Sequence, residues 1–169
     1  MKEFEKGTYG YDLNFLKEKD NGLIVLKGDN EKAEVIVSPR YQAKVFTSTA
    51  NGPGGTSLGF VNHEVLNSDV VDEHMNGYGG ENRFWLGPEG GQFSIFFEPG
   101  REQVFDNWHT PGAIDTEPWD VKEVTSTEVN LAKDLELKNY KGNKLKISAD
   151  RIIRLVPSGD VEQELNVKL

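Results

Sequence analysis

The run Leu135-Glu136-Leu137-Lys138-Asn139-Tyr140-Lys141-Gly142-Asn143-Lys144-Leu145-Lys146-Ile147-Ser148-Ala149 decides the fold class. Leu135 and Leu137 alternate with charged residues on one side, and Leu145, Ile147 and Ala149 do the same on the other. A period of two puts successive side chains on opposite faces of a strand, so each run has one apolar face and one solvated face. The Asn139–Asn143 segment between them is turn chemistry, with Gly142 free to take a left-handed backbone. Short connections of this kind join antiparallel neighbours.

The same period extends outward. Ile153 and Leu155 read as a further strand piece, followed by the turn Pro157-Ser158-Gly159-Asp160. Val161, Leu165, Val167 and Leu169 then alternate with Glu162, Glu164, Asn166 and Lys168, which predicts a terminal strand. Such a strand is an edge closed by another copy, or it continues in a longer chain. Upstream, Ala33, Val35 and Val37 alternate with Lys32, Glu34 and Ile36 until Pro39 ends the run, and Ala43, Val45 and Thr47 follow. Phe93, Ile95 and Phe97 alternate with Gln92, Ser94 and Phe96, a strand pattern apolar on nearly both faces and so expected to be buried. Strands spaced by about 10 to 12 residues predict an all-β antiparallel sandwich. One segment alone reads as helical. Tyr9, Leu13 and Leu16 recur at helical spacing beside Phe15, with Asn21-Gly22 as a stop and Thr8 or Asp12 as a cap.

At 169 residues the chain is read as a single domain, residues 1–169, incomplete at its C-terminal end. A net charge of −9 excludes a nucleic-acid partner, because no basic stripe offers counterion release. No apolar run reaches the roughly 18 residues of a spanning helix, which excludes membrane insertion. The start, Met1-Lys2-Glu3-Phe4-Glu5-Lys6, is too polar for a signal peptide. Absence of cysteine removes disulfides, thiolate nucleophiles and Cys-ligated metals.

Three loops interrupt the pattern: Ala50–Thr56, Gly77–Gln92 and Pro99–Pro118. Loops this long in a compact domain carry function or are disordered, and tryptophans within them argue for order. They are expected to meet at one rim. The second packs six glycines around Glu81, Asn82, Arg83, Trp85, Glu89 and Gln92, and the third brings Trp108, His109, Asp115 and Glu117. An aromatic face beside Arg, Glu and Asn is sugar-site chemistry: stacking on apolar sugar faces, with forked hydrogen bonds to hydroxyls. The bland alternative is a turn system in which Arg83 pairs with Glu81 or Glu89 as a brace.

Other chemistries fit less well. The three histidines, His63, His74 and His109, lack paired zinc spacing. Asp69, Asp72 and Glu73 lack the spacing of a calcium loop and read as a solvated acidic loop. No metal and no cofactor is expected. No Gly-x-Ser-x-Gly elbow exists, and Gly77-Tyr78-Gly79-Gly80 lacks the strand-then-helix setting of a dinucleotide loop. Paired acids remain. Glu81, Glu89, Asp115 and Glu117 could act with His109 on an anomeric centre, one group taking the proton from O1 and another protonating the ring oxygen.

The run Gly79–Phe97, with Gly10-Tyr11-Asp12-Leu13, Phe46–Ala50, Trp108–Pro118 and Asp150-Arg151, resembles the signature of an uncharacterised bacterial family. That family is similar in fold to aldose 1-epimerase (galactose mutarotase), a β-supersandwich. The resemblance implies that this chain is the N-terminal half of a supersandwich from an exported, periplasmic protein, with a cytoplasmic location as the alternative. If the chain is an enzyme, the resemblance implies an aldose 1-epimerase-like isomerase. Mutarotases take their base glutamate from the C-terminal half, and here Tyr78, in place of a histidine, precedes Gly79-Gly80.

The expected function is carbohydrate recognition. Trp85 and Trp108 would stack on the sugar, and Asn82, Arg83 and Gln92 would grip hydroxyls. Glu81, Glu89 and His109 are the acid–base candidates. The partner is a saccharide, with a homo-oligomer or a missing C-terminal half completing the sheet. The alternative is an assembly module whose Gly-rich motif is an architectural corner and whose open sheet pairs with a second chain.

Overall fold

The computed structural model describes residues 3–28, 32–68 and 70–168. Met1, Lys2, Asp69 and Leu169, which figure in the sequence reading, lie outside them. The fold is antiparallel β: two three-stranded sheets with a short N-terminal helix. The first sheet orders β1 (Ile24–Lys27), β2 (Glu34–Ser38) and β3 (Lys44–Thr49). The second orders β4 (Asp120–Val124), β5 (Glu128–Lys138) and β6 (Lys144–Arg154).

Helix α1 (Tyr9–Lys19) starts after Thr8. The Thr8 hydroxyl donates back to Glu5 O and does not cap the helix. Asp12 is no cap either: its carboxylate accepts from Ser57 Oγ and lies 2.8 Å from His63 Nε2, tying the helix to the chain beyond β3.

The first sheet is buried on both faces, which is why its strands are rich in apolar residues at successive positions. Ile36 and Phe46 face α1 within a cluster that includes Tyr9, Leu16, Val61, Leu66 and Tyr78. Val37, Ala43 and Val45 face the second sheet and meet Trp119, Val129 and Leu131. A bulge after Ile36 pairs Val37 with Val45 and leaves Phe46 as the extra residue.

The β5–β6 hairpin follows the predicted register, with Leu135 opposite Ile147 and Leu137 opposite Leu145. Ile153 belongs to the same strand as Leu145, so the two expected pieces are one strand of 11 residues, and Leu155 lies just beyond it.

Four sequence expectations are corrected. Phe93–Phe97 is not a strand but a series of turns, although Ser94, Ile95, Phe96 and Phe97 are buried as expected. Its backbone turns on Gly91 O and on the Ser94 hydroxyl, leaving no ladder. The terminal alternation folds as a helix, α4 (Ser158–Leu165), whose first turn uses the supposed turn residues after Pro157. Val161 and Leu165 fit a helix as well as a strand, and the Pro157 carbonyl accepts from Asp160 N and Val161 N to open the first turn. Helices α2 (His63–Ser68) and α3 (Gly112–Asp115) also form, so α1 is not the lone helix. Finally, Ala50–Thr56 is tied to the start of α1 and not to the other two loops: its Pro53 and Gly55 carbonyls accept from Gly10 N and Tyr9 N, and no hydrogen bond joins it to residues 77–92 or 99–118 among the described residues.

Candidate functional site

The loops 77–92 and 99–118 converge around Asp115. Its buried carboxylate accepts from Arg83 Nη2 at 2.7 Å, Gln42 Nε2 at 2.6 Å, Asn76 N at 3.0 Å and Asn76 Nδ2 at 2.9 Å. Its two oxygens together take all four donors. Arg83, 24% exposed against 3% for Asp115, is therefore an ion-paired guanidinium. Its partner is Asp115, not the Glu81 or Glu89 of the brace reading.

Beside it, Lys44 on β3 is 2% exposed and donates from Nζ to Gly79 O. Burial pushes its ammonium pKa down to about 8, and neighbouring Arg83 and Arg151 push in the same direction while Asp115 opposes them. Arg151 projects from β6 at the position paired with Leu131, on the inward face between Ala149 and Ile153. It donates from Nη2 to Asn82 Oδ1 at 2.9 Å, and the same oxygen accepts from Val45 N at 3.1 Å.

Gly79 and Gly80 make this corner possible. Both have positive φ, and a Cβ on Gly79 would lie 2.2 Å from Phe60 O. Only glycine lets residues 79–80 run this close to the 60–61 segment, to which Gly80 N donates through Phe60 O at 2.6 Å.

The aromatic part is one stack. The Arg83 guanidinium carbon lies 4.6 Å from the Trp85 ring centre, Trp85 stacks on Phe96 at 4.9 Å, and Phe96 stacks on Trp108 at 4.4 Å. Phe96 is fully buried, while both indoles are packed against it and only partly buried. The indole N–H groups donate to Glu89 Oε1 at 3.0 Å and to Thr110 Oγ1 at 3.1 Å, respectively.

The remaining predicted residues are spread around this core. Glu81 is exposed and accepts from Ser48 Oγ at 2.6 Å. Asn82 and Gln92 are exposed. His109 is exposed, shares a 3.0 Å hydrogen bond between Nδ1 and Glu73 O, and lines a hollow of about 240 Å³ with Phe97, Glu98 and Glu136. No hydrogen bond or ion pair joins Glu81, Glu89 and His109 among the described residues. Glu117 pairs with Lys133 at 3.2 Å. Asp72 accepts from His74 N and Met75 N, which holds its carboxyl below the usual range. Among the described residues no three His, Asp or Glu side chains converge as a ligand set.

Sequence reasoning missed Gln42, Asn76, Lys44 and Arg151 as members. Arg151 had a readable signal: a charge on the apolar side of the alternation Leu145, Ile147, Ala149, Ile153.

Fold and site define a two-sheet antiparallel β protein with an ion-paired, aromatic-stacked loop corner. The chain belongs to the family of unknown function DUF6786, whose model matches residues 7–169. No curated protein and no solved structure matches it.

Proposed function

We propose that the corner formed by loops 77–92 and 99–118 recognises a carbohydrate, on a β-sandwich of the galactose mutarotase-like supersandwich kind. One observation carries this reading. Trp85 and Trp108, from different loops, lie with nearly parallel rings 6.4 Å apart, each packed on the core but only partly buried, beside the exposed polar side chains of Glu81, Asn82 and Glu89. Rigid indoles next to convergent polar groups suit the apolar faces and hydroxyl pairs of a sugar. Arg83 serves by fixing Trp85 from beneath its own ion pair. The resemblance of residues 79–97 to an uncharacterised bacterial family that is similar in fold to galactose mutarotase supports the same ligand class and an exported location.

Recognition is favoured over turnover. An anomeric isomerase requires a proton donor and a proton acceptor facing one ring, whereas Glu81, Glu89 and His109 each bond to a different partner. The test is titration of the chain against a saccharide panel, read by tryptophan fluorescence and calorimetry. Saturable binding that moves the indole emission is the expected result. No saccharide binding even at millimolar levels overturns the reading.

A second reading, the assembly module, has its own observation. The inward residues Val129, Leu131, Leu135 and Leu137 of the middle strand β5 are buried, but Val121 and Val124 on β4 are exposed and those on β6 only half-buried. Sheet faces left open at both flanks suit a partner chain. Its test is the oligomeric state across protein concentration, with mutarotation assayed on the same samples. A monomer at every concentration overturns self-assembly. Activity rising with concentration would instead make a completed isomerase the better description.

A further inference from the structure

We propose that the sugar taken by this corner is an acid, a uronate whose carboxylate is held by Arg151 and Asn82 beside Arg83. The inference rests on the saccharide reading and names the class of ligand within it.

Charge comes first. Arg83 and Arg151 both lie close enough to the buried Lys44 to act on its charge, and among the described residues Asp115 is the one carboxylate that ion-pairs with any of the three. Three cations against one anion leave an excess of positive charge in a partly dehydrated place, in a chain whose net charge is −9. Uncompensated charge of that kind is costly unless a counter-charge is supplied. The acids nearest along the chain, Glu81 and Asp150, are both exposed, and Glu81 is engaged with Ser48.

Donor capacity comes second. Arg151 gives Nη2 to Asn82, while its Nε is buried without a partner, as is Arg83 Nε. Asn82 Oδ1 is doubly occupied by Val45 N and Arg151, which fixes the amide so that its oxygen lies inward. Its Nδ2 and the second Nη of Arg151 have no partner among the described residues. A guanidinium nitrogen and an amide nitrogen joined in one hydrogen-bonded unit match the two oxygens of a carboxylate better than a sugar hydroxyl, which would leave the charge unmet.

Position comes third. Asn82 lies three residues from Trp85, and Arg83 between them touches the Trp85 ring. A sugar lying against the exposed part of the Trp85 indole therefore borders the same loop segment that carries Asn82, whose amide is bonded to Arg151.

The experiment is a calorimetric comparison of glucuronate and galacturonate with glucose, galactose and acetate, at low and high salt. Uronates are expected to bind about tenfold or more tighter than their neutral parents, with a preference that shrinks as salt rises. Asn82→Ala, on an exposed loop side chain, should erase most of that preference, as should Arg151→Lys, which keeps the charge but loses the fork. Circular dichroism confirms that both variants fold. Neutral sugars binding as tightly as uronates overturn the inference while leaving the saccharide reading standing. Acetate binding as tightly as uronate also overturns it, since the cluster would then be an anion site without sugar selectivity. Absence of binding to every sugar overturns both.

Discussion

Asp115 holds the corner together because its buried carboxylate gathers donors from three separate segments, those of Gln42, Asn76 and Arg83. Replacing it with Asn keeps the shape but gives Gln42, Arg83 and Asn76 a neutral group that is itself half donor. Removing one member of a buried ion pair leaves the other uncompensated, typically at a cost of about 3–5 kcal/mol. Asp115→Asn is therefore expected to lose about that much in urea unfolding, whereas Glu117→Gln, whose carboxylate is largely exposed, should lose under about 1 kcal/mol. Lys44 gives a pH signature. Its folded pKa of about 8 lies below the ordinary value of 10.5, so the folded state sheds the proton first. Below pH 8 both states are protonated and the full penalty applies. Between 8 and 10.5 the unfolded chain binds more protons, so stability rises with pH, by up to about 3 kcal/mol from this group. Chemical denaturation of wild type and Lys44→Met across that window should show the rise only in wild type; parallel curves would rule it out. At this scale the sequence revealed the acids and the arginine but not their pairing. Gln42 and Asn76 sit in segments without periodicity, where nothing in the chain marks a polar residue as buried. Arg151 was readable, as a cation standing in an apolar row.

Elements were legible where one face of a strand meets the core and the other meets water. The β5–β6 register followed from Leu135, Leu137, Leu145 and Ile147 because the alternation there is clean. β4 left no trace, since every residue of Asp120–Val124 is exposed and no apolar face was selected. Residues 94–97 misled for the opposite reason, with Phe93 before them exposed: burial on both sides gives the same run of apolar residues whether the backbone joins a ladder or a turn. At the C-terminal end, Val161 and Leu165 satisfy both periods, and the Pro157 start decides for the helix. Glycine at 79 is an element-level necessity, since the loop must pass the 60–61 segment. Gly79→Ala combines a positive φ of 84° with a Cβ 2.2 Å from a backbone oxygen, so a loss of roughly 2 kcal/mol or more is expected. Gly77 has open space around its would-be Cβ, so Gly77→Ala should stay within about 0.5 kcal/mol. Thermal melts of the pair check this, and equal losses would mean that the close approach is unimportant.

At the scale of the whole molecule, the sequence predicted the two-sheet antiparallel class but not how far the second sheet outreaches its cover. β5 is sealed by the first sheet and the 93–97 turns, while β6, 11 residues long, has no strand on its far side among the described residues. Charge constrains what can pair there. β6 carries Lys144, Lys146, Arg151 and Arg154 against Asp150 alone, and one of its outward cations, Lys146, pairs back onto β5 at Glu136, 3.0 Å away. Two copies joined edge to edge at β6 would set like charges opposite one another, which destabilises a strand pair. They would also bring together two bodies each bearing −9. Both repulsions weaken as salt shortens the screening length to about 8 Å at physiological ionic strength. Self-association through β6 should therefore be absent at low salt and grow as salt is added, measured by sedimentation velocity at fixed protein concentration. Pairing with an acidic strand of another protein would run the other way, strongest at low salt. A homodimer that forms at low salt and dissolves at high salt would place the contact on some other face, and would leave the β6 edge to serve only as the wall that carries Arg151.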